Sequence, residues 1–168
     1  MKIVGIDPGL SGGIVSIDED GKIIFKIVMP TMKLTGSKKT KTVIDLQLLH
    51  STLCELKPDR VYLEKVGSRP GQGTVSMFGF GYTFGAIEMA LVACRYPYVL
   101  VTPQAWCKEM HQGISKDIEA KDRSLLIFKR MYPDVDMRAT PRCTTCHDGM
   151  IDALMIAEYG RRCMLKSA

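Results

Sequence analysis

The sequence predicts an α/β fold in which a mixed β-sheet carries helices on its faces. Two observations lead to this fold class. Three strand-like segments follow one another at the start of the chain, and a helix, a strand, a helix, a strand and further helices come after them. A length of 168 residues suits one domain with a hydrophobic core, so we expect a single domain over residues 1–168.

The strands are predicted from short apolar runs that turn residues bound. Turns at Gly12-Gly13 and at Glu19-Asp20-Gly21 separate the first three runs. The predicted strands are residues 2–7, 13–18, 22–29, 60–64 and 98–102. Between the third strand and the first helix, the polar and basic segment 32–41 predicts a flexible loop.

The helices are predicted from apolar periodicity and from capping residues. In the first helix, four leucines recur at steps of three and four residues, which places them on one face. These leucines are Leu46, Leu49, Leu53 and Leu56. The predicted helices are residues 43–57, 75–93, 103–110, a segment from Ser115 or Asp117 to Tyr132, and a last helix that includes residues 148–157.

Charge and hydropathy restrict the class of protein. The net charge is +5, and the lysines at 33, 38, 39 and 41 form a cluster, which favours a polyanionic substrate. No uninterrupted apolar run reaches membrane-spanning length, and the N-terminus lacks the pattern of a signal peptide, so we expect no membrane partner. The expected location is the cytoplasm or nucleoid, the host cytoplasm for a viral protein, or an organelle. There the six cysteines would be reduced.

Four acidic residues stand at positions that suit metal binding. Asp7 ends the first predicted strand, Glu64 ends the fourth, and Asp148 and Asp152 are four residues apart in the last helix. A four-residue step places both aspartates on one helix face, about one turn apart. Hard divalent cations take oxygen ligands of this kind and polarise phosphate esters. The pattern therefore predicts a metal-dependent phosphodiesterase.

Each acid also has an ordinary structural explanation. Asp7 precedes Pro-Gly and can be a turn residue, while Glu64 can form a surface ion pair. Asp148 can be a first-turn acid that the helix dipole favours. Asp152 is the strongest candidate, because a charge one turn inside an apolar helix needs a cation.

Three sequence motifs occur in order and at compatible spacings over nearly the whole chain. They are Gly5-Ile6-Asp7-Pro8-Gly9, Tyr62-Leu63-Glu64-Lys65-Val66 and Asp152-Ala153-Leu154-Met155-Ile156-Ala157. Together they resemble the RuvC family of Holliday-junction resolvases, which belongs to the ribonuclease H-like superfamily. The resemblance implies a ribonuclease H-like mixed five-stranded sheet with helices on both faces. It also implies an endonuclease that resolves four-way DNA junctions in recombination and repair, as a homodimer with paired active sites.

The same resemblance implies the cofactor and its ligands. Hydrolysis would use Mg²⁺, for which Mn²⁺ substitutes, with two ions in each active site. The four ligands would be Asp7, Glu64, Asp148 and Asp152. Bacterial members commonly place the last two ligands three residues apart, where this chain has Gly149. That departure leaves His147 open as an alternative to Asp148.

The resemblance also bears on DNA contacts. Lys108 and Lys121 match positions of phosphate-contacting lysines in the family, although both also suit solvated helix residues. The loop lysines Lys38, Lys39 and Lys41 would track backbone phosphates rather than read bases.

Aromatic residues after Glu64 differ from the family pattern. Bacterial relatives carry an aromatic wedge shortly after this glutamate, where the chain has Gly67-Ser68. The nearest aromatic residues that could stack on bases are Phe78, Phe80 and Tyr82. Alternatively, they pack the core or a dimer interface formed by the helix over residues 75–93.

The motif Cys143-Thr144-Thr145-Cys146-His147 matches a c-type haem attachment sequence in form. Haem attachment needs export, and zinc needs a fourth ligand that this motif lacks. We therefore expect reduced thiols here.

Three rival functions stay open. The segment Asp7–Gly13 also resembles the phosphate-binding hairpin of actin-like and sugar-kinase-like ATPases. A DNA-structure binding module without catalysis is a second alternative. The third is a less selective nuclease of branched DNA or RNA–DNA hybrids from the same superfamily.

Overall fold

The chain folds into seven strands and five helices within the residues that the computed structural model describes, which are 1–36, 39–67, 71 and 73–167. The strands are β1 (Ile3–Asp7), β2 (Gly13–Ile17), β3 (Ile23–Val28), β4 (Thr31–Thr35), β5 (Thr40–Ile44), β6 (Arg60–Glu64) and β7 (Tyr98–Val101). The helices are α1 (Leu46–Leu56), α2 (Thr74–Ala93), α3 (Pro103–Met110), α4 (Ala120–Met131) and α5 (Asp148–Ser167). The five strands and five helices that the sequence predicts are all present; β6 and α3 have the predicted boundaries, and the other elements have shifted ones.

Five strands form one mixed sheet in the order β3-β2-β1-β6-β7. The first three strands pair antiparallel, as the short turns between them require. β6 pairs parallel to β1, and β7 pairs parallel to β6. Parallel neighbours need long crossovers, in which α1 precedes β6 and α2 precedes β7. As a result, β1 and β6 end at the same edge of the sheet.

Side chains alternate along the strands and bury two apolar layers on opposite faces of the sheet. On one face Ile3, Val15 and Tyr62 pack with residues of α3, α4 and α5. On the other face Val4 and Ile6 pack with residues of α1 and α2. The predicted mixed five-stranded sheet with helices on both faces is confirmed.

Helix α5 lies directly on the centre of the sheet because Gly5 of β1 has no side chain. A Cβ atom at Gly5 would lie 2.1 Å from the Ala153 carbonyl oxygen and 2.4 Å from the Ala157 nitrogen. Both alanines are fully buried. This close contact fixes α5 over the strand that ends in Asp7.

Most of the segment 32–41, which its composition predicts to be a flexible loop, belongs instead to two strands. β4 and β5 form an antiparallel hairpin in which Thr31 pairs with Ile44 and Thr35 pairs with Thr40. Most side chains of the hairpin are exposed, so backbone pairing and β-branched threonines define it rather than burial. The hairpin therefore lacks the pattern of buried residues on which the strand predictions depend.

Helix α4 begins at Ala120, later than the predicted start at Ser115 or Asp117. The Ser115 hydroxyl group donates to the Asp117 carboxylate at 2.9 Å and accepts the Asp117 N–H at 3.2 Å. These two residues thus stabilise a local turn before the helix instead of capping it.

Helix α2 has the length and mean hydropathy of a membrane-spanning helix, 20 residues and 1.4. Glycines and Glu88 interrupt its apolar residues, so α2 contains no uninterrupted apolar run of membrane-spanning length. Only 17% of its apolar window is buried, and its buried residues are Thr83, Ile87 and Leu91. Most of α2 therefore presents an uncovered apolar surface.

Candidate active site

Asp7 and Glu64 lie side by side where two parallel strands end. They are the last residues of β1 and β6, which pair in register up to the preceding position. Two residues earlier, Gly5 and Tyr62 both face α5. Because side chains alternate along a strand, the two carboxylates project from the face that α5 covers.

The first turn of α5 packs against the loop that follows β1. A Cβ atom at Gly149 would lie 2.2 Å from the Ser11 carbonyl oxygen and 2.5 Å from the Gly12 Cα. The missing side chain permits this contact, which brings Asp148 and Asp152 to the end of β1. Gly149 stands where a three-residue spacing would put the first of the two ligands. It thus has a packing role instead.

Burial and mutual repulsion raise the pKa values of two of the acids. Burial raises the pKa of Asp7 to about 6; the Gly9 N–H, at 3.2 Å, opposes this and the charge of Glu64 adds to it. Burial also raises the pKa of Asp152 to about 6, and the charges of Asp7 and Asp148 contribute. Half-buried carboxylates that repel one another are stabilised by a bound cation.

The Asp7 carboxylate also has the structural role that its sequence context suggested. Its Oδ1 accepts the Gly9 N–H, which is the hydrogen bond of a local turn. The turn does not use the second carboxylate oxygen, Oδ2, which is therefore available to bind a metal ion. A turn residue and a metal ligand are therefore compatible at this position.

Three buried side chains hold the acids in place. Trp106 Nε1 donates a hydrogen bond of 2.9 Å to Glu64 Oε1. Ser124 is hydrogen-bonded to Asp152, and its Oγ lies 3.1 Å from His111 Nε2. The His111 and Trp106 rings make an edge-to-face contact with centroids 5.6 Å apart. Residues of α3 and α4 thus orient acids that come from β6 and α5.

The sequence analysis did not identify these three supporting residues. Trp106 could have been singled out from the sequence, because it is the only tryptophan and lies in the helix directly after β7. Ser124 and His111 had none, since their role arises from a contact between residues 13 positions apart in different elements.

Asp148 and His147 occupy different environments at the start of α5. Asp148 is 57% exposed and forms an ion pair with Lys121, with 3.2 Å between Nζ and Oδ2. His147 Nδ1 lies 3.3 Å from the Met150 nitrogen and accepts its N–H, so the imidazole caps the helix. This geometry favours Asp148 over His147 as a metal ligand.

The candidate DNA-binding lysines lie in three places. Lys121 reaches the site through its ion pair with Asp148. Lys108 is exposed on α3. Lys39 and Lys41 are exposed at the turn and second strand of the hairpin, and Lys38 lies outside the described residues.

The donor set suits hard divalent cations. Carboxylates come from two strand ends and one helix face, and oxygen is the donor that Mg²⁺ and Mn²⁺ prefer. Burial, and then the charges of Asp152 and Glu64, raise the pKa of the adjacent Cys107 to about 11. Sulfur is a soft donor that Mg²⁺ and Mn²⁺ do not prefer, so this thiol does not compete with the carboxylates for such ions.

Comparison with known proteins identifies the fold. No protein-family model and no curated protein sequence matches the chain. RuvC of Thermus thermophilus, in complex with a Holliday junction substrate, matches with a TM-score of 0.60 at 15% identity, covering 100% of this chain and 98% of that one. The yeast mitochondrial Holliday junction resolvase Ydc2 matches with a TM-score of 0.51 at 14% identity, covering 98% and 80%. The fowlpox virus resolvase, in complex with its substrate Holliday junction DNA, matches with a TM-score of 0.51 at 15% identity, covering 98% and 99%. The chain therefore has the fold of RuvC and related Holliday-junction resolvases, in agreement with its motifs.

Proposed function

We propose that the protein is an Mg²⁺-dependent endonuclease that resolves four-way DNA junctions as a homodimer. The observation that supports this proposal is the proximity of four carboxylates at one edge of the sheet, where burial and mutual repulsion raise the pKa values of two of them. The four carboxylates belong to Asp7, Glu64, Asp148 and Asp152. Among the described residues no three of these acids bring ligand oxygens within 4.8 Å of one another, so ion binding would draw them together. Carboxylates alone suit many phosphodiesterases, and the fold shared with junction-bound resolvases supports a branched DNA substrate.

The four acids would share two divalent ions. Such a pair supplies an activated water and stabilisation of the leaving 3′ oxygen. Asp7, on the central strand, is placed between Glu64 and α5 and would contact both ions. Glu64 would hold one ion, and Asp148 with Asp152 the other. Lys121, which forms an ion pair with Asp148, would contact the scissile phosphate.

Helix α2 provides the surface for the homodimer. Five large apolar side chains are exposed at spacings of three, four, seven and three residues, which we call the α2 stripe. It consists of Val75, Phe78, Tyr82, Met89 and Val92. Such heptad spacing places apolar side chains on one face, as paired helices require.

Glycines make the same surface accessible to a close neighbour. A Cβ atom at Gly79, Gly81 or Gly85 would meet no described atom within 4 Å. A second copy of the chain, related by a two-fold axis, would cover the α2 stripe. It would also supply the second active site for the symmetry-related strand of a junction.

Cleavage of defined substrates tests the proposal. We expect labelled four-way junctions in Mg²⁺ to be cut in two opposing strands, and replication forks and RNA–DNA hybrids to be cut far less. Asp152→Asn should lower junction cleavage by orders of magnitude, because the metal site loses a negative charge. Junction binding should persist or tighten, since that charge also repels phosphate.

Asp134→Asn is the matched control, because Asp134 is exposed in the turn after α4. It should cleave like the wild type. Preferential cleavage of hybrids, or equal cleavage of all branched DNAs, would assign the site to a different nuclease. Near-normal cleavage by a folded Asp152→Asn variant would contradict the metal-dependent nuclease itself.

A further inference from the structure

A second group of potential metal ligands lies on the face of the sheet opposite α5. His50 and Cys54 are four residues apart on α1, which places them on one helix face. Cys94 is the C-cap residue of α2. The ligand atoms of the three residues all lie within 4.8 Å of one another. The proposed nuclease chemistry does not use them.

The separations between these atoms suit tetrahedral coordination. The Cys54 sulfur lies 3.4 Å from the Cys94 sulfur and 3.6 Å from His50 Nε2. With Zn–S bonds of about 2.3 Å and Zn–N bonds of about 2.0 Å, a tetrahedral ion separates two sulfurs by about 3.8 Å and a sulfur from a nitrogen by about 3.5 Å. The three side chains therefore need only small movements to bind one ion.

Contacts that do not involve the thiols hold both cysteines in position. The backbone N–H of Cys94 ends α2 with a hydrogen bond of 3.0 Å, and the Tyr96 hydroxyl group donates to the Cys54 carbonyl oxygen at 3.4 Å. Leu53 and Leu91 anchor the same two helices in the core. The ligand group is thus preorganised by the fold.

Two sulfurs and one imidazole select a borderline or soft metal rather than Mg²⁺. We propose that His50, Cys54 and Cys94 bind one Zn²⁺ per chain and that the ion ties α1 to α2. His50 is exposed, so water can reach the fourth coordination position. Coordination as thiolates releases two thiol protons and involves no change of oxidation state.

The motif Cys143-Thr144-Thr145-Cys146-His147 has a more familiar ligand spacing, but it does not form such a group among the described residues. Thr140 Oγ1 contacts the Cys143 sulfur at 3.4 Å. His147 Nδ1 caps α5. Zinc binding should therefore depend on Cys54 and Cys94 and be independent of Cys146.

Cobalt spectroscopy of the full chain tests this proposal. Reduced, metal-free protein titrated with Co²⁺ should develop thiolate-to-cobalt charge-transfer absorption and strong visible bands at one ion per chain. Zn²⁺ should then remove both. Carboxylate sites give no such charge transfer, so Co²⁺ in the nuclease site does not interfere. Zn²⁺ should also raise the melting temperature by several degrees, since it binds only the folded state.

The variants Cys54→Ser and Cys94→Ser should lose the charge-transfer absorption, and the exposed His50→Ala should bind Co²⁺ more weakly. Cys146→Ser is the matched control and should bind like the wild type. Absorption that is absent from the wild type, survives in both cysteine variants, or is unaffected in His50→Ala would contradict the proposal. A Cys54–Cys94 disulfide that forms in the presence of excess Zn²⁺ would also contradict it, and would identify a redox pair instead.

Discussion

Ser124 joins the half-buried Asp152 to the buried His111, because its hydroxyl group contacts both side chains. Ser124→Ala removes a hydrogen bond that orients the Asp152 carboxylate. We expect the cleavage rate to fall about ten- to a hundredfold, and the Mg²⁺ concentration for half-maximal rate to rise. Cleavage rates over a series of Mg²⁺ concentrations measure both effects.

Ser51→Ala is the control for this substitution, because Ser51 is exposed on α1. It should change neither the rate nor the Mg²⁺ dependence. A lower rate for Ser124→Ala with an unchanged Mg²⁺ dependence would mean that Ser124 supports folding and not the position of Asp152.

Asp152 makes the metal-free protein less stable as the pH rises. Burial raises its pKa from 3.8 to about 6, so the folded state binds this proton more tightly than the unfolded state. The resulting stabilisation is complete below about pH 4 and is lost as the pH rises through about 6. Between pH 4.5 and 7 in EDTA, Asp152→Asn should gain stability relative to the wild type, by at most about 2 kcal/mol.

Thermal or denaturant unfolding at several pH values measures this gain. Asp134→Asn should show no comparable trend, because Asp134 lies in an exposed turn. Addition of Mg²⁺ at pH 7 should remove the advantage of Asp152→Asn, since the wild type then gains binding energy that the variant lacks. A stability difference that does not vary with pH would contradict the raised pKa.

The positions of Asp7, Glu64 and Asp152 in the fold could be predicted from sequence, because each of the three ends or interrupts a local apolar pattern. Asp7 and Glu64 end buried strands, and Asp152 interrupts the apolar face of α5. The supporting residues have no local pattern. Trp106 meets Glu64 across 42 positions, so the contact exists only after β6 and β7 pair and α3 follows them.

At the scale of elements, strands and helices with continuous or periodic apolar residues were predictable, including the largely exposed α2, whereas the polar hairpin was not. The hairpin of β4 and β5 buries few side chains, so its composition resembles that of a loop. The start of α4 was misplaced because Ser115 and Asp117 have side chains that suit a helix cap but bond to each other. The position of Gly149 against Ser11 and Gly12 could not be predicted, because it depends on how α5 packs.

The apolar character of α2 is distributed over two opposite faces. Ile87 and Leu91 face the core, whereas the α2 stripe faces outward. We expect the double variant Phe78→Glu and Met89→Glu to be monomeric at micromolar concentration, because paired carboxylates would be buried in the interface. Light scattering measures the mass, and junction cleavage should lose its paired character.

Leu165→Glu is the control, because Leu165 is equally exposed near the end of α5 but lies outside the α2 stripe. It should remain dimeric. A monomeric wild type with intact paired cleavage would contradict the dimer. Flotation of the wild type with lipid vesicles, abolished by the same double variant, would instead assign α2 to a membrane.

At the scale of the whole molecule, the acids and the basic hairpin belong to the same edge of the sheet. Gly13 pairs with both Asp7 and Val28, so β3 ends at the edge where β1 ends, and the hairpin follows it. The opposite edge holds the turn between β2 and β3. There the Tyr132 hydroxyl group, just after α4, donates to the Gly21 carbonyl oxygen at 2.7 Å. DNA held at the acids would therefore lie near the hairpin and far from this turn.

This arrangement predicts that the lysines of the hairpin make junction binding depend on salt concentration. Replacing Lys38, Lys39 and Lys41 with alanine should weaken junction binding and reduce the slope of log affinity against log salt. The reduction should reach about 0.9 for each duplex phosphate contact that is lost. Cleavage sequence preference should change little, because phosphate contacts carry no sequence information.

The matched control removes three charges from the opposite edge of the molecule. Lys22 lies in the turn between β2 and β3, and Lys129 with Arg130 lies in the last turn of α4. All three side chains are exposed, so their replacement with alanine changes the net charge equally. Binding titrations at several salt concentrations should show a reduced slope only for the hairpin variant. Equally reduced slopes for both variants would mean that the protein attracts DNA through its net charge. An unchanged slope for the hairpin variant would mean that the hairpin lysines are solvated and do not contact phosphate.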